Sequence, residues 1–204
     1  MMKEFWDNRY AESEFAYGVE ANEFLKEELV KLPVGKLLFP ADGEGRNSVF
    51  AATLGWEVTS FDISQEGRNK ALQLAENKQV EIDYQVGLLE NLHFEKEQFD
   101  AIAFIFAHFP SAIKSHYHQT IVDFLKPGGT VILEAFSKKH IEYNSVNEKV
   151  GGPRDVETLC SIAEIENDFK DFEIIELSEQ EVELNEGKYH IGTGSVIRFV
   201  GRKK

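Results

Sequence analysis

Residues 36–47 read KLLFPADGEGRN: a short apolar run, a proline, a cluster of small residues and glycines, then the polar start of a helix. Ala41, Gly43 and Gly45 would let the backbone turn sharply and approach a ligand with no bulky side chain between them. The helix beyond, carrying Val49, Phe50 and Leu54, offers unpaired N–H groups at its start to an anionic group such as a carboxylate. A second strand is expected over Glu57–Phe61, with Asp62 at its end, where an acid can accept hydrogen bonds from ribose hydroxyls. A Gly-x-Gly turn alone carries little information. Loop, helix, strand and terminal acid in this order point to an adenosine-containing cofactor.

Strand and helix signals alternate on both sides of this segment. Leu25, Leu29 and Leu32 mark a helix over about Glu20–Lys31, closed by Pro33 and Gly35. Ser64 is placed to cap a helix whose inner face would be Ala71, Leu72 and Ala75. A third strand is expected at Val80–Val86. The run FDAIAFIF from Phe99 is almost wholly apolar, as suits a strand covered by helices on both faces. Ile113, Tyr117, Ile121 and Phe124 mark a helix stopped by Lys126–Gly129, and strand five follows at Thr130–Phe136. A further helix is expected around Val156, Leu159, Cys160 and Ala163. Two late strands, about 172–184 and 189–200, are joined by Asn185-Glu186-Gly187-Lys188, short enough for an antiparallel hairpin. The fold expected is α/β, a mostly parallel sheet closed by that hairpin.

Composition narrows the partners. A formal charge of -14 repels phosphate backbones, so nucleic acid is not expected as substrate. One cysteine, Cys160, allows neither an internal disulfide nor a thiolate metal cluster, and fits a reducing compartment. The charged start lacks the apolar core of an export signal, and the longest apolar run, Ala101–Ala107, is too short to cross a bilayer. A cytoplasmic protein without a membrane partner is expected. His116 and His118 stand one residue apart on a helix, hence on different faces, and read as surface residues; no metal site is expected.

The ordered strings resemble the class I S-adenosylmethionine-dependent methyltransferases: the glycine loop, Asp62, FDAI at Phe99–Ile102 and LKPGG at Leu125–Gly129. More narrowly, FWDNRY at Phe5–Tyr10, Tyr17-Gly18, GEGRN at Gly43–Asn47, IFAHFP at Ile105–Pro110, GGP at Gly151–Pro153 and the terminal HIGTGSVIRFVGRK are similar to the tellurite-resistance and thiopurine methyltransferase-like group. The resemblance spans nearly the whole chain. It implies a Rossmann-like seven-stranded sheet with the last strand antiparallel, in a single domain over 1–204 whose segment 1–32 lies over the cofactor as a lid. It implies that Gly43 and Gly45 approach the methionine part of S-adenosylmethionine, with Arg46 and Asn47 nearby. Asp62 would hold the ribose and Ile63 pack on the adenine. Two departures stand out. Phe39 and Ala41 occupy slots that commonly hold an acid and a glycine. Leu88 stands where similar enzymes carry an aspartate for the adenine amino group, which leaves that contact to backbone near Leu89 or to water.

Methyl transfer from a sulfonium is a displacement whose reactive group belongs to the cofactor, so no triad or metal cluster is required. Aromatic faces suit the cation. Phe106 alternates with Phe104 on strand four, and Trp6, Tyr10 and Tyr17 lie in the N-terminal segment; ordinary core packing is the alternative for each. His108, just past strand four, is the candidate catalytic residue, placed to accept a proton or hydrogen-bond the incoming nucleophile. Trp6, Tyr17 and Arg154 are candidates for contact with a small-molecule methyl acceptor, Arg154 through an anionic group. The chain after strand four reads Ala107-His108-Phe109-Pro110, unlike the Asn/Asp-Pro-Pro-aromatic string of enzymes that methylate nucleic-acid amino groups, and again favours a small acceptor. A monomer or homodimer is expected. Two other functions fit parts of the pattern: a non-catalytic S-adenosylmethionine-binding protein of the same fold, and a nicotinamide-dependent oxidoreductase suggested by Gly43-x-Gly45-x-x-Ser48.

Overall fold

The computed structural model describes residues 2–204; residue 1, with which the domain and lid ranges begin, lies outside them. Seven strands form one sheet: β1 (Lys36–Pro40), β2 (Glu57–Asp62), β3 (Asp83–Val86), β4 (Phe99–Ile105), β5 (Leu125–Phe136), β6 (Phe172–Glu186) and β7 (His190–Lys203). Their order is β3-β2-β1-β4-β5-β7-β6. The pairs among β1 to β5 are parallel, and β7 runs antiparallel between β5 and β6. This is the Rossmann-like, mostly parallel architecture expected from the sequence. The chain leaves β1 in one direction to β2 and returns on its other side at β4, so a crevice opens beyond the ends of β1 and β4.

Among the described residues seven α-helices accompany the sheet: α1 (Met2–Tyr10), α2 (Glu23–Leu29), α3 (Arg46–Thr53), α4 (Gln65–Lys78), α5 (Lys114–Ile121), α6 (His140–Asn144) and α7 (Ile162–Asp168). Alternation along the central strands feeds two cores. Leu38, Ile102, Phe104, Leu133 and Phe199 face one, while Leu37, Phe39, Ala101, Ala103 and Ile132 face the other. Burial on both sheet faces explains why β4 carries almost no polar residue. It also explains Phe39, which is buried in the second core and packs where an acid would have no partner.

Several expectations need correction. The helix expected around Val156–Ala163 is divided into a 3₁₀ turn at Val156–Thr158 and α7, with Cys160 bridged to Ser137 between them. Ser161 and Glu164 cap each other's backbone at the start of α7, a reciprocal capping box that outweighs the apolar spacing across it. Lys126–Gly129 does not precede β5 but lies within it; the strand begins at Leu125 and absorbs the glycines through a register shift against Phe99 and Ala101. On α4, Leu74 rather than Leu72 joins Ala71 and Ala75 inside. His118 is not a surface residue: it is buried, its Nδ1 2.8 Å from Asp168 Oδ2, stacked on Phe169, while His116 is exposed. Among the described residues no helix is long and apolar enough to cross a membrane.

Candidate active site

Beyond β1 the backbone takes positive φ at Ala41 (52°), Gly43 (59°) and Gly45 (81°). The last two are glycines for different reasons. A Cβ on Gly43 would sit 2.6 Å from Tyr10 Oη, and one on Gly45 would sit 2.4 Å from Ala71 Cβ on α4. The loop is therefore pressed between α1 and α4, with Gly45 as the residue before α3. Asp62 braces it from β2: Oδ2 accepts from Gly43 N at 3.1 Å and Oδ1 from Ser64 N at 2.9 Å. Burial raises the Asp62 carboxyl to about 6 against these hydrogen bonds. Tyr84 Oη donates to Gly43 O at 2.5 Å and closes the brace.

Asp42 has both carboxylate oxygens buried with no partner at good hydrogen-bond geometry among the described residues; burial raises it to about 7, and the nearby Ser48 and Ser60 hydroxyls offset that only in part. Its folded pKa lies above the unfolded one, so between about 4 and 7 the folded chain holds the extra proton and stability falls as pH rises. The cost of burying the carboxylate is fully present above pH 7. Asp42→Asn cannot ionise and is expected to melt higher than the parent at pH 8 and to lose that advantage towards pH 4, by ~2–4 °C for each kcal/mol relieved. Parallel melting curves with an unchanged gap at both pH values would contradict a buried carboxylate.

A cavity that opens to solvent lies over this loop. Gly43, Arg46, Asn47, Asp62, Ile63, Leu89, Phe106, His108, Trp6 and Tyr17 all line it, so ten of the sequence candidates meet around one space. Gly45 is set back from the wall, where it lets the loop pack on α4. Leu88 lies on the rim, half of it exposed. Phe106 has φ 49°, a conformation a bulky residue rarely adopts. Its N–H is held by Glu134 O at 2.8 Å, and its ring sits 4.6 Å from Phe136 and 4.8 Å from His190. Helix α1 covers the cavity. Asp7 caps the start of α4, accepting from Ser64 Oγ at 2.6 Å and Gln65 N at 3.0 Å, and Tyr10 stacks on Trp6.

A second, wider cleft shares the wall formed by Trp6, Tyr17, His108 and His190. Arg154 lines this cleft alone; its side chain is exposed and paired with Glu148 at 2.5 Å. His108 is half-buried with its ring parallel to Phe136 at 5.9 Å, and burial, then the nearby His190 and His140, lowers its pKa to about 3.

His190 and Glu186 had no role assigned from sequence patterns alone. They are register partners across the β6–β7 hairpin, and His190 Nδ1 lies 2.8 Å from Glu186 Oε2. Glu186 also receives Arg46 Nη2 at 2.8 Å and Asn22 Nδ2 at 3.2 Å. Burial pushes the Glu186 carboxyl up, but the His190 hydrogen bond and the Arg46 charge outweigh it and hold it at about 2. Burial lowers the His190 imidazole despite Glu186. At neutral pH the ring is then neutral, Nδ1–H donates to Glu186, and Nε2 keeps its lone pair. The visible signal was a carboxylate and an imidazole facing each other across a tight turn.

Residues 40–129 match a family model described as a methyltransferase domain. No curated protein matches the sequence. Among solved structures, one from work on conversion of a disulfide bond into a thioacetal group during echinomycin biosynthesis superposes with TM-score 0.77 at 15% identity, covering 100% of this chain and 93% of that one. TehB from Haemophilus influenzae gives TM-score 0.71 at 18% identity, covering 99% and 67%. Magnesium protoporphyrin IX methyltransferase from Synechocystis, with bound SAH, gives 0.66 at 16%, covering 88% and 80%. At these identities the likeness is one of fold. With the domain match, it supports S-adenosylmethionine as the cofactor.

Proposed function

We propose that this chain is an S-adenosylmethionine-dependent methyltransferase whose acceptor is a small molecule bearing a soft nucleophile, a thiol or a selenium or tellurium species. One observation carries it: the cavity braced by Asp62 and the glycine loop shares a wall with a second cleft, so a cofactor and an acceptor can meet at Trp6, Tyr17, His108 and His190. The resemblance of the ordered strings to the tellurite-resistance and thiopurine group supports the choice of nucleophile.

The residues present fit the cofactor. Asp62 offers a buried carboxylate to ribose hydroxyls, the N-terminus of α3 with Arg46 faces a carboxylate, and Ile63 and Leu89 supply apolar walls for a base. Bound there, S-adenosylmethionine supplies an electrophilic methyl group on a sulfonium. Trp6 and Tyr10 on α1 exclude water from the junction. Phe106 and Tyr17 present ring faces that favour positive charge. With a thiol or selenol as acceptor, His190 Nε2 would take its proton as the new bond to the methyl carbon forms and the methyl–sulfonium bond breaks to leave S-adenosylhomocysteine, and Glu186 would stabilise the imidazolium; an oxyanion acceptor releases no proton and would not use this step. His108, neutral and stacked on Phe136, bounds the acceptor from the β4 side.

The check is release of S-adenosylhomocysteine from S-adenosylmethionine in the presence of small thiols, selenols and chalcogen oxyanions. Turnover with at least one of these is expected. His190→Gln is expected to lower kcat by about 100-fold while S-adenosylhomocysteine affinity holds. Absence of turnover across the panel, with the cofactor bound, would make the chain a binding protein instead.

A further inference from the structure

The part of the second cleft that the cofactor cavity does not share carries two guanidinium groups, and their surroundings differ. Arg154 is exposed and already paired with Glu148. Arg9 is half-buried on α1 and has no carboxylate in ion-pairing range among the described residues. Glu12, on the same segment, is engaged by Lys188 and by Tyr189 Oη. Arg9 is nonetheless held in place. Its Nη1 donates to Tyr17 Oη at 3.0 Å, and its Cζ stands 4.0 Å from the Tyr189 ring centroid and 4.8 Å from that of Phe5. Glu12 lies near enough for the Arg9 charge to help lower its carboxyl, but no carboxylate among the described residues pairs directly with the guanidinium, so its fixed fork on the cleft wall is open to a partner from outside.

We propose that Arg9 is a specificity-determining residue that pairs with a carboxylate group on the methyl acceptor. The proposal rests on the second cleft being the acceptor site. A guanidinium has five N–H donors in a planar fork, and Tyr17 uses one, so a carboxylate can be met by two of the others at once. The ring contacts hold the fork's orientation before the ligand arrives, which reduces the ordering cost of binding. Trp6, Phe109 and Tyr189 line the same cleft and suit an apolar body on the acceptor. Tyr17 lines both spaces, so an acceptor anchored at Arg9 extends toward the wall where His190 sits.

The test titrates the protein loaded with S-adenosylhomocysteine with 3-phenylpropanoate, its amide and acetate, followed by ligand-observed NMR. The amide keeps the shape and removes the charge; acetate keeps the charge and removes the body. The carboxylate is expected to bind about tenfold or more tighter than either. Arg9→Gln is expected to abolish that preference, and Arg9→Lys, which keeps charge but not the fork, to retain part of it, both with S-adenosylhomocysteine affinity within about twofold of the parent. An amide that binds the parent as well as the carboxylate does, or a preference that survives Arg9→Gln, overturns the assignment. Should a variant fail to hold the cofactor, the comparison on the parent decides. A parent that does not bind S-adenosylhomocysteine overturns the methyltransferase proposal itself, and this one with it.

Discussion

Asp62→Asn is expected to weaken S-adenosylhomocysteine binding by about 100-fold, because two hydrogen bonds from ribose hydroxyls lose a charged acceptor and each is worth roughly 1.5–3 kcal/mol. The same carboxylate holds Gly43 N and Ser64 N, so part of the loss would come through the loop. Asn keeps one acceptor oxygen and nearly the same shape, which limits that part. The pH dependence has a definite sign. Burial raises the Asp62 carboxyl to about 6 in the free protein, and the ionised form is the better ribose acceptor. Affinity is therefore expected to fall as pH drops through about 6 in the parent, and to fall less in Asp62→Asn, where of these two cavity carboxyls only Asp42 still titrates. Calorimetric titration at pH 5 and pH 8 checks both statements. Equal affinities for parent and variant would show that the ribose lies elsewhere.

The second large effect belongs to Glu186. Its side chain and that of Arg46 are almost entirely buried, at 13% and 8% exposed. Glu186→Ala would leave the buried Arg46 charge with only its hydrogen bond to Glu20 O and leave His190 Nδ1 without its acceptor. Breaking a buried pair from one side costs about 3–5 kcal/mol. That loss should appear as a lower urea midpoint with an unchanged slope. Glu186 is held at about 2, below its ordinary 4.5, so its contribution is fully present above pH 4.5 and is lost as pH falls through about 2. The parent should lose stability over that acid range more steeply than the variant. A variant as stable as the parent at pH 7 would mean that the pair contributes little in solution.

How far the sequence led can be judged from particular residues. The β1 loop, Asp62 and the apolar β4 were readable because each depends on neighbours in the chain: backbone freedom at glycine, strand period and burial on both faces. The terminal hairpin was readable from loop length alone. Phe39 looked like a departure from an acidic slot and proved to be core, since alternation along β1 sends it to the same face as Leu37. The break before α7 was legible too, in Ser161 and Glu164, but apolar spacing across it suggested a continuous helix. Other features were out of reach. His118 is buried because Asp168, from α7, meets it, and no local pattern names that partner. Arg46 finds Glu186 from the far end of the chain, and Arg9 finds Tyr189 the same way. Local chemistry located the cofactor loop, whereas the acceptor side is assembled by contacts between distant segments.

Calorimetric titration of the intact protein with S-adenosylmethionine and S-adenosylhomocysteine tests the account most directly. One molecule per chain is expected to bind, with affinity lowered in Asp62→Asn. Folded protein that gives no heat with either compound at millimolar concentration would contradict it.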